Sequence, residues 1–210
     1  MKYILLHGLG QKASSWEDTV KVMNNKSNIL CPDLLEWLCN VEPCYSNLYR
    51  ALEKYCEQFN EPLNLCGLSL GGSLALQYAI EHSEKINSLV LIGTQVSMPK
   101  NMLKFQNVIF RFMPNSTFRK IGFDKEGVIN LTKSMMDLDF RQDLKKIDCR
   151  VLIICGEKDT ANKSASLELK EQLPNGEFFI IPDAGHEVNL DNPIALGEQM
   201  NTFFSADIKG

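Results

Sequence analysis

Six short apolar runs alternating with stretches of helical spacing constrain this 210-residue chain more than any other feature. The runs lie at 3–6, 28–32, 63–66, 87–92, 150–155 and 177–181 and are nearly continuous in Ile, Leu and Val. Unbroken apolarity of this kind belongs to strands covered on both faces. Helical patterns lie at about 14–25, 45–59, 71–82, 160–173 and 192–205. The alternation predicts an α/β fold: a doubly wound, mostly parallel six-stranded sheet with right-handed crossovers. Ligands in such sheets gather at the carboxyl ends of the strands. No repeat or low-complexity linker interrupts the pattern, so residues 1–210 read as one domain long enough to bury a sizeable core.

From 97 to 140 the rhythm breaks. Met98, Met102, Phe105, Ile109 and Phe112 recur at helical spacing, with Phe110, Met113 and Phe118 nearby. This predicts a short helical cap. Its Met/Phe face either packs on the domain beneath or also lines a substrate pocket, which makes Phe105, Ile109 and Phe112 candidate substrate-binding residues. A membrane-surface helix is a third reading, for which Lys100, Lys104 and Arg111 supply only a modest basic content.

Gly67-Leu68-Ser69-Leu70-Gly71 lies between an apolar run and a helical one. Strand, tight turn, helix is the setting in which G-x-S-x-G carries meaning. Glycines at 67 and 71 remove the Cβ atoms that would clash as the helix folds back on the strand. Ser69 is thereby presented as a nucleophile, and the Leu70 N–H, at a helix N-terminus, can face a developing oxyanion.

Serine needs a base, and the chain has three histidines. His82 ends a helix in a polar setting and reads as a solvated terminal residue. His7 follows the first strand and reads as a brace for its loop. His186 stands in a loop after the last strand and is the candidate base. A base needs an acid to fix its tautomer. Asp159 follows the fifth run in Gly156-Glu157-Lys158-Asp159, with Glu157 as its competitor. His7-Gly8-Leu9-Gly10 lets the backbone fold closely enough for the Leu9 N–H to act as second oxyanion donor.

The net charge of −4 and the absence of an outstanding Lys/Arg cluster give a nucleic-acid role little support. No apolar run is long enough for a membrane span, so no stable membrane insertion is expected. No signal peptide is read at the N-terminus, and seven cysteines without a Cys-x-x-Cys fit a reducing cytoplasm. No His/Cys/Asp group has metal-site spacing, so neither metal nor cofactor is expected.

On these residues the chain resembles the α/β-hydrolase superfamily. His7 to Gly10 resembles the oxyanion loop, Gly67 to Gly72 the nucleophile elbow, Gly156 to Asp159 the acid loop, and Gly185-His186 through Pro193 the histidine loop. The order Ser69, Asp159, His186 is the order that fold uses. The resemblance implies Asp159 as the acid rather than Glu157, and a cap where 97–140 falls. It also implies a minimal sheet lacking the family's first two strands. The loop Pro32-Asp33-Leu34-Leu35-Glu36-Trp37 has lost the family's glycines, so Trp37 either shapes the pocket or packs in the core.

The activity implied is that of a serine hydrolase cleaving a small apolar acyl ester or thioester through an acyl-enzyme. The same scaffold supports C–C hydrolases, lyases, acyltransferases, cofactor-free peroxidases and aminopeptidases, for which Glu36 and Glu187 are candidate amine-binding acids. It also supports ligand-binding signalling proteins with little turnover. Oligomeric state is not encoded in any of these features.

Overall fold

The computed structural model describes residues 1–119, 124–173 and 175–205, with the side chains of Met102 and Arg119 outside the description. In chain order the elements are β1 (Tyr3–Leu6), α1 (Glu17–Val22), β2 (Ile29–Leu30), α2 (Tyr45–Cys56), β3 (Leu63–Leu68), α3 (Leu70–Glu81) and β4 (Ile86–Ile92). Then come α4 (Lys100–Phe112), α5 (Asn115–Arg119), α6 (Lys125–Ser134), β5 (Arg150–Gly156), α7 (Lys163–Gln172), β6 (Gly176–Ile181), α8 (Val188–Asp191) and α9 (Pro193–Ser205). The strands form one parallel sheet in the order β2-β1-β3-β4-β5-β6.

Successive strand residues point to opposite faces, and the core divides accordingly. Ile4, Leu65, Leu89, Leu91 and Ile153 meet α2, α3 and α7 through Leu48, Leu52, Leu74, Leu76 and Leu169. Leu5, Cys66, Val90, Leu152 and Ile154 meet Trp16 and the α9 residues Leu196, Met200 and Phe203. Both faces are covered, which is why the strands read as unbroken apolar runs.

The boundaries differ from expectation where loops carry candidate site residues. The third run extends to Leu68, bringing the strand to the residue before Ser69. Helix α7 begins at Lys163 rather than about 160, because the intervening residues form the loop that carries Asp159. The expected helix at 14–25 divides into a 3₁₀ turn at Ala13–Trp16 and the short α1. Strand β2 is only two residues long.

The chain reverses order between β1, which pairs with β2 on one side, and β3 on the other. Loops leaving β1 and β3 therefore diverge, and a crevice opens at their carboxyl ends. Segment 97–140 leaves the sheet after β4 and returns before β5. Its base is closed by an antiparallel bridge between Ser97 and Asp139, with the Met98 N–H on the Leu138 carbonyl and the Phe140 N–H on the Val96 carbonyl. Within it α4 packs on α6, and α6 packs on α2. The pinned base holds α4 over the carboxyl ends of the strands.

Candidate active site

Ser69 sits between β3 and α3 at φ 54°, ψ −111°, a backbone conformation unfavourable to a residue with a Cβ. The surroundings hold it there. Its N–H donates to the Ile92 carbonyl (2.9 Å), and its carbonyl accepts from the Ser73 N–H (2.9 Å). A Cβ on Gly71 would lie 2.3 Å from the Leu6 carbonyl oxygen, and one on Gly67 2.2 Å from the Gly71 carbonyl oxygen. Only glycine lets α3 approach β1 and β3 this closely.

His186 and Asp159 meet from separate loops. The His186 Nδ1–H donates to Asp159 Oδ2 at 2.8 Å. Glu157, the competing acid, is turned elsewhere: its carboxylate accepts the Asp183 N–H at 3.0 Å. Asp159 is buried and receives more than the imidazole. Asn162 Nδ2 donates to both of its oxygens (2.8 and 2.9 Å), and the Asn162 N–H adds a third bond at 3.3 Å. Gln95 Nε2 in turn donates to Asn162 Oδ1, fixing which way the amide faces. Burial pushes the Asp159 carboxyl up, but the bonds from His186 and Asn162 outweigh it and hold the carboxyl below its ordinary range. The charge of Asp159 therefore stabilises the fold above about pH 4 and ceases to do so as the pH falls through its lowered value.

Asn162 and Gln95 were not singled out in the sequence. The signal was there in part: an Asn three residues past the acid, at the start of α7. Such a residue reads as an N-cap, yet its side chain makes no cap bond to the helix. It is spent on the carboxylate instead.

Histidine 7 is fully buried and braces the first loop, as expected. Its Nε2 accepts the Leu34 N–H at 3.0 Å, so Nδ1 carries the proton and lies 2.9 Å from the Gly8 carbonyl. Burial lowers its pKa, although the Gly8 carbonyl and Asp33 act in the opposite sense. The ring thus stays neutral and ties the loop after β1 to the loop after β2. Gln11, also unforeseen, ties the same loop to the histidine loop: its Nε2 donates to Glu187 Oε1 (3.0 Å) and Asn189 Oδ1 (3.1 Å). The expectation for His82 is corrected. It is half-buried, with Nε2 3.2 Å from Glu53 Oε1 and its ring against Tyr78. Glu53, Glu81 and His82 come within 4.8 Å of one another, but Glu81 is already occupied by Tyr49 and Gln77 and His82 by Glu53.

A cavity of about 650 Å³ opens between the strand ends and the cap, and Leu9, Ser69, Leu70, Asp159 and His186 all line it. The N–H groups of Leu9 and Leu70 have no hydrogen-bond partner among the described residues, and Leu70 begins α3, where such donors are left over. The His186 Nε2 is likewise without a partner among them, so it is open to a proton donor in the cavity. Apolar cap residues form the other walls, among them Leu103, Phe110, Met113, Phe118 and Met135.

Of the four candidate pocket residues, Phe105 and Ile109 line this cavity. Trp37 and Phe112 do not: for Trp37 the pocket reading gives way to the core reading, and the expectation for Phe112 is corrected. Trp37 packs with its ring centroid 5.2 Å from that of Tyr55, on the edge of the α2–α3 core. Phe112 lies one helical turn beyond Ile109 and points to solvent. Of the two acids considered for an amine, Glu36 is exposed and lines no part of the cavity, and Glu187 is held by Gln11.

Comparison with known proteins shows the family and the fold. The profile of the alpha/beta hydrolase family matches residues 3–198. The pimeloyl-[acyl-carrier protein] methyl ester esterase of Nitrosomonas europaea is 19% identical over 97% of this chain and 94% of its own length. The 2-hydroxy-6-oxo-6-(2'-aminophenyl)hexa-2,4-dienoic acid hydrolase of Metapseudomonas resinovorans is 22% identical over 93% of this chain and 66% of its own. Among solved structures, the enol-lactonase of Burkholderia xenovorans LB400 superposes with a TM-score of 0.83, at 19% identity, covering 97% of this chain and 91% of that one.

Proposed function

The chain belongs to the alpha/beta hydrolase family, and from that premise we propose that it is a serine hydrolase acting on a small, uncharged carboxylic ester or thioester. The observation that carries this reading is the 2.8 Å His186–Asp159 pair opening on the same cavity as the strained Ser69 elbow. In the proposed reaction His186 Nε2 takes the Ser69 proton as Oγ attacks the acyl carbon. The negative oxygen is received by the Leu9 and Leu70 N–H groups. The imidazolium, held by Asp159, then protonates the departing alcohol or thiol. A water molecule, deprotonated by His186, attacks the acyl-enzyme, and the acid leaves as Ser69 recovers its proton.

The walls bear on the substrate. No Lys or Arg stands among the described residues lining the cavity, and apolar side chains dominate the cap side. A substrate carrying a second carboxylate, such as the dienoic acid in the name of one relative, would be desolvated there without a counter-charge. A methyl ester or other neutral acyl group would not. The cavity volume falls in the usual range of small-molecule sites and suits a short or medium acyl chain. The test is a series of p-nitrophenyl esters with a hemisuccinate ester alongside. We expect kcat/KM to peak in the medium-chain range and to fall at least tenfold for the charged ester. Failure of every ester to turn over, or preference for the charged one, would overturn the reading.

Asn162 acts in this scheme as a positioning residue. Hydrogen bonds to a charged group are worth about 1.5–3 kcal/mol, so Asn162→Ala is expected to lower kcat/KM by about tenfold or more. With the amide gone the Asp159 carboxyl titrates higher, and the acid side of the kcat/KM profile moves to higher pH. A uniform loss at all pH values would mean that Asn162 merely supports the loop.

A further inference from the structure

Phe112 is 85% exposed and Phe105 67%, with Val108 at 49% and Ile109 at 44%. Their spacing is i, i+3, i+4, i+7, so they form one apolar stripe along α4. The opposite face of α4 accounts for its packing: Leu103 and Asn107 are buried, and Phe110 sits edge-on to Phe118 at 5.5 Å. The stripe is thus surplus to the fold.

Its own stretch of sequence is one-sided in charge. From 97 to 123 the sequence has five Lys/Arg and no Asp/Glu, against seventeen and twenty-six in the remainder of the chain. An acidic body therefore carries a basic cap segment. On α4 the residues Lys100, Lys104 and Arg111 follow one edge of the stripe. Lys100 pairs with Asp137, while Lys104 and Arg111 form no salt bridge with a described residue. Basic side chains flanking an exposed apolar stripe on a helix are the pattern of segments that lie in the headgroup layer of a membrane.

We propose that α4 docks this protein reversibly on an anionic lipid surface. Phe105, Val108, Ile109 and Phe112 enter the boundary between headgroups and acyl chains, and Lys104 and Arg111 meet lipid phosphates. A second copy of the chain fits less well, because two like-charged cap segments would face each other. A planar surface also suits a stripe that is convex, about 10 Å long from Phe105 to Phe112, and not a groove. Phe105 and Ile109 line the cavity as well, so the docked surface would lie at its mouth. A substrate dissolved in the lipid would enter without crossing water. No described helix is long and apolar enough to cross a membrane, which agrees with shallow attachment.

The docking claim does not depend on the hydrolase reading, and its test keeps them apart. Sedimentation with vesicles of phosphatidylcholine alone, or with one-third phosphatidylglycerol, is measured for the parent and for Ser69→Ala. We expect both proteins to partition at least tenfold more strongly onto the anionic vesicles. The paired substitution Val108→Ser with Phe112→Ser should abolish at least nine-tenths of that binding, while hydrolysis of a soluble ester in lipid-free buffer stays at the parental rate. Lys104→Glu with Arg111→Glu should remove the preference for anionic lipid. Equal binding to both vesicle types, or binding that survives both pairs of substitutions, would overturn the proposal. So would a dimer in sedimentation velocity that Val108→Ser with Phe112→Ser dissolves, which would assign the stripe to a second copy.

Discussion

Replacement of Ser69 by alanine is expected to lower kcat for ester hydrolysis by on the order of 10⁶-fold, the scale of loss when the nucleophile of a Ser–His–acid triad is removed. The melting temperature should scarcely change. Alanine has the same Cβ and suffers the same backbone conformation at φ 54°. Glycine at this position is a sharper probe. It has no Cβ to strain, and relief of an unfavourable conformation is worth about 1–3 kcal/mol. Ser69→Gly should therefore be as inactive as Ser69→Ala yet melt a few degrees above the parent. Activity retained in either variant would mean that the hydroxyl is not the nucleophile. A Ser69→Gly protein no more stable than the parent would mean that the elbow is not under strain.

The second large effect is structural. At Gly71 a methyl group would stand 2.3 Å from the Leu6 carbonyl oxygen and 2.8 Å from that of His7. Both obstacles are backbone, one in the paired part of β1 and one in the loop that carries Leu9. Neither can rotate aside as a side chain would. Gly71→Ala is expected to cost about 3 kcal/mol or more, lowering the melting temperature by roughly 6–12 °C for a domain of this size. The displacement should reach the Leu9 N–H and reduce kcat in the protein that remains folded. Thermal melting paired with ester turnover measures both. A variant that melts with the parent would show that α3 does not press on β1 as closely as described.

These two sites also show what the sequence could disclose. The elbow was readable because its constraint is local. Gly67 and Gly71 flank the serine, an apolar run precedes it and a helical run follows. The sheet was readable because both of its faces are covered, so that period-2 alternation vanishes and apolar runs stand out. The choice between Asp159 and Glu157 depended on which carboxylate turns inward, and the answer lies in a distant partner, the Asp183 N–H, which takes Glu157. Asn162 escaped notice because a polar residue at a helix start has a commonplace explanation. Phe112 was misplaced for a different reason. Helix α4 has two apolar faces, one through Leu103 and Phe110 and one through Phe105 and Phe112; both contribute to the cavity wall, and spacing alone does not say that Phe112 leaves it for solvent. Trp37 was ambiguous in the same way, since an aromatic residue beside a glycine-poor loop serves equally in a pocket wall or, as with Tyr55, in the core.

His7 and Gln11 show how the loops are kept in register for chemistry. One joins the loops after β1 and β2, and the other joins the loop after β1 to the one carrying His186. The loop bearing Leu9 is thus tied to the loop bearing His186, and both line one cavity with Leu70. In the proposed reaction, donors held in this way would not need to move as charge develops.

Reaction with a fluorophosphonate, followed by peptide mass spectrometry, decides whether Ser69 is a nucleophile activated by His186. A single phosphonyl adduct is expected on the peptide containing Ser69, formed at least a hundredfold more slowly in His186→Ala. An adduct on another residue, no adduct at all, or equal labelling rates with and without the imidazole would contradict it.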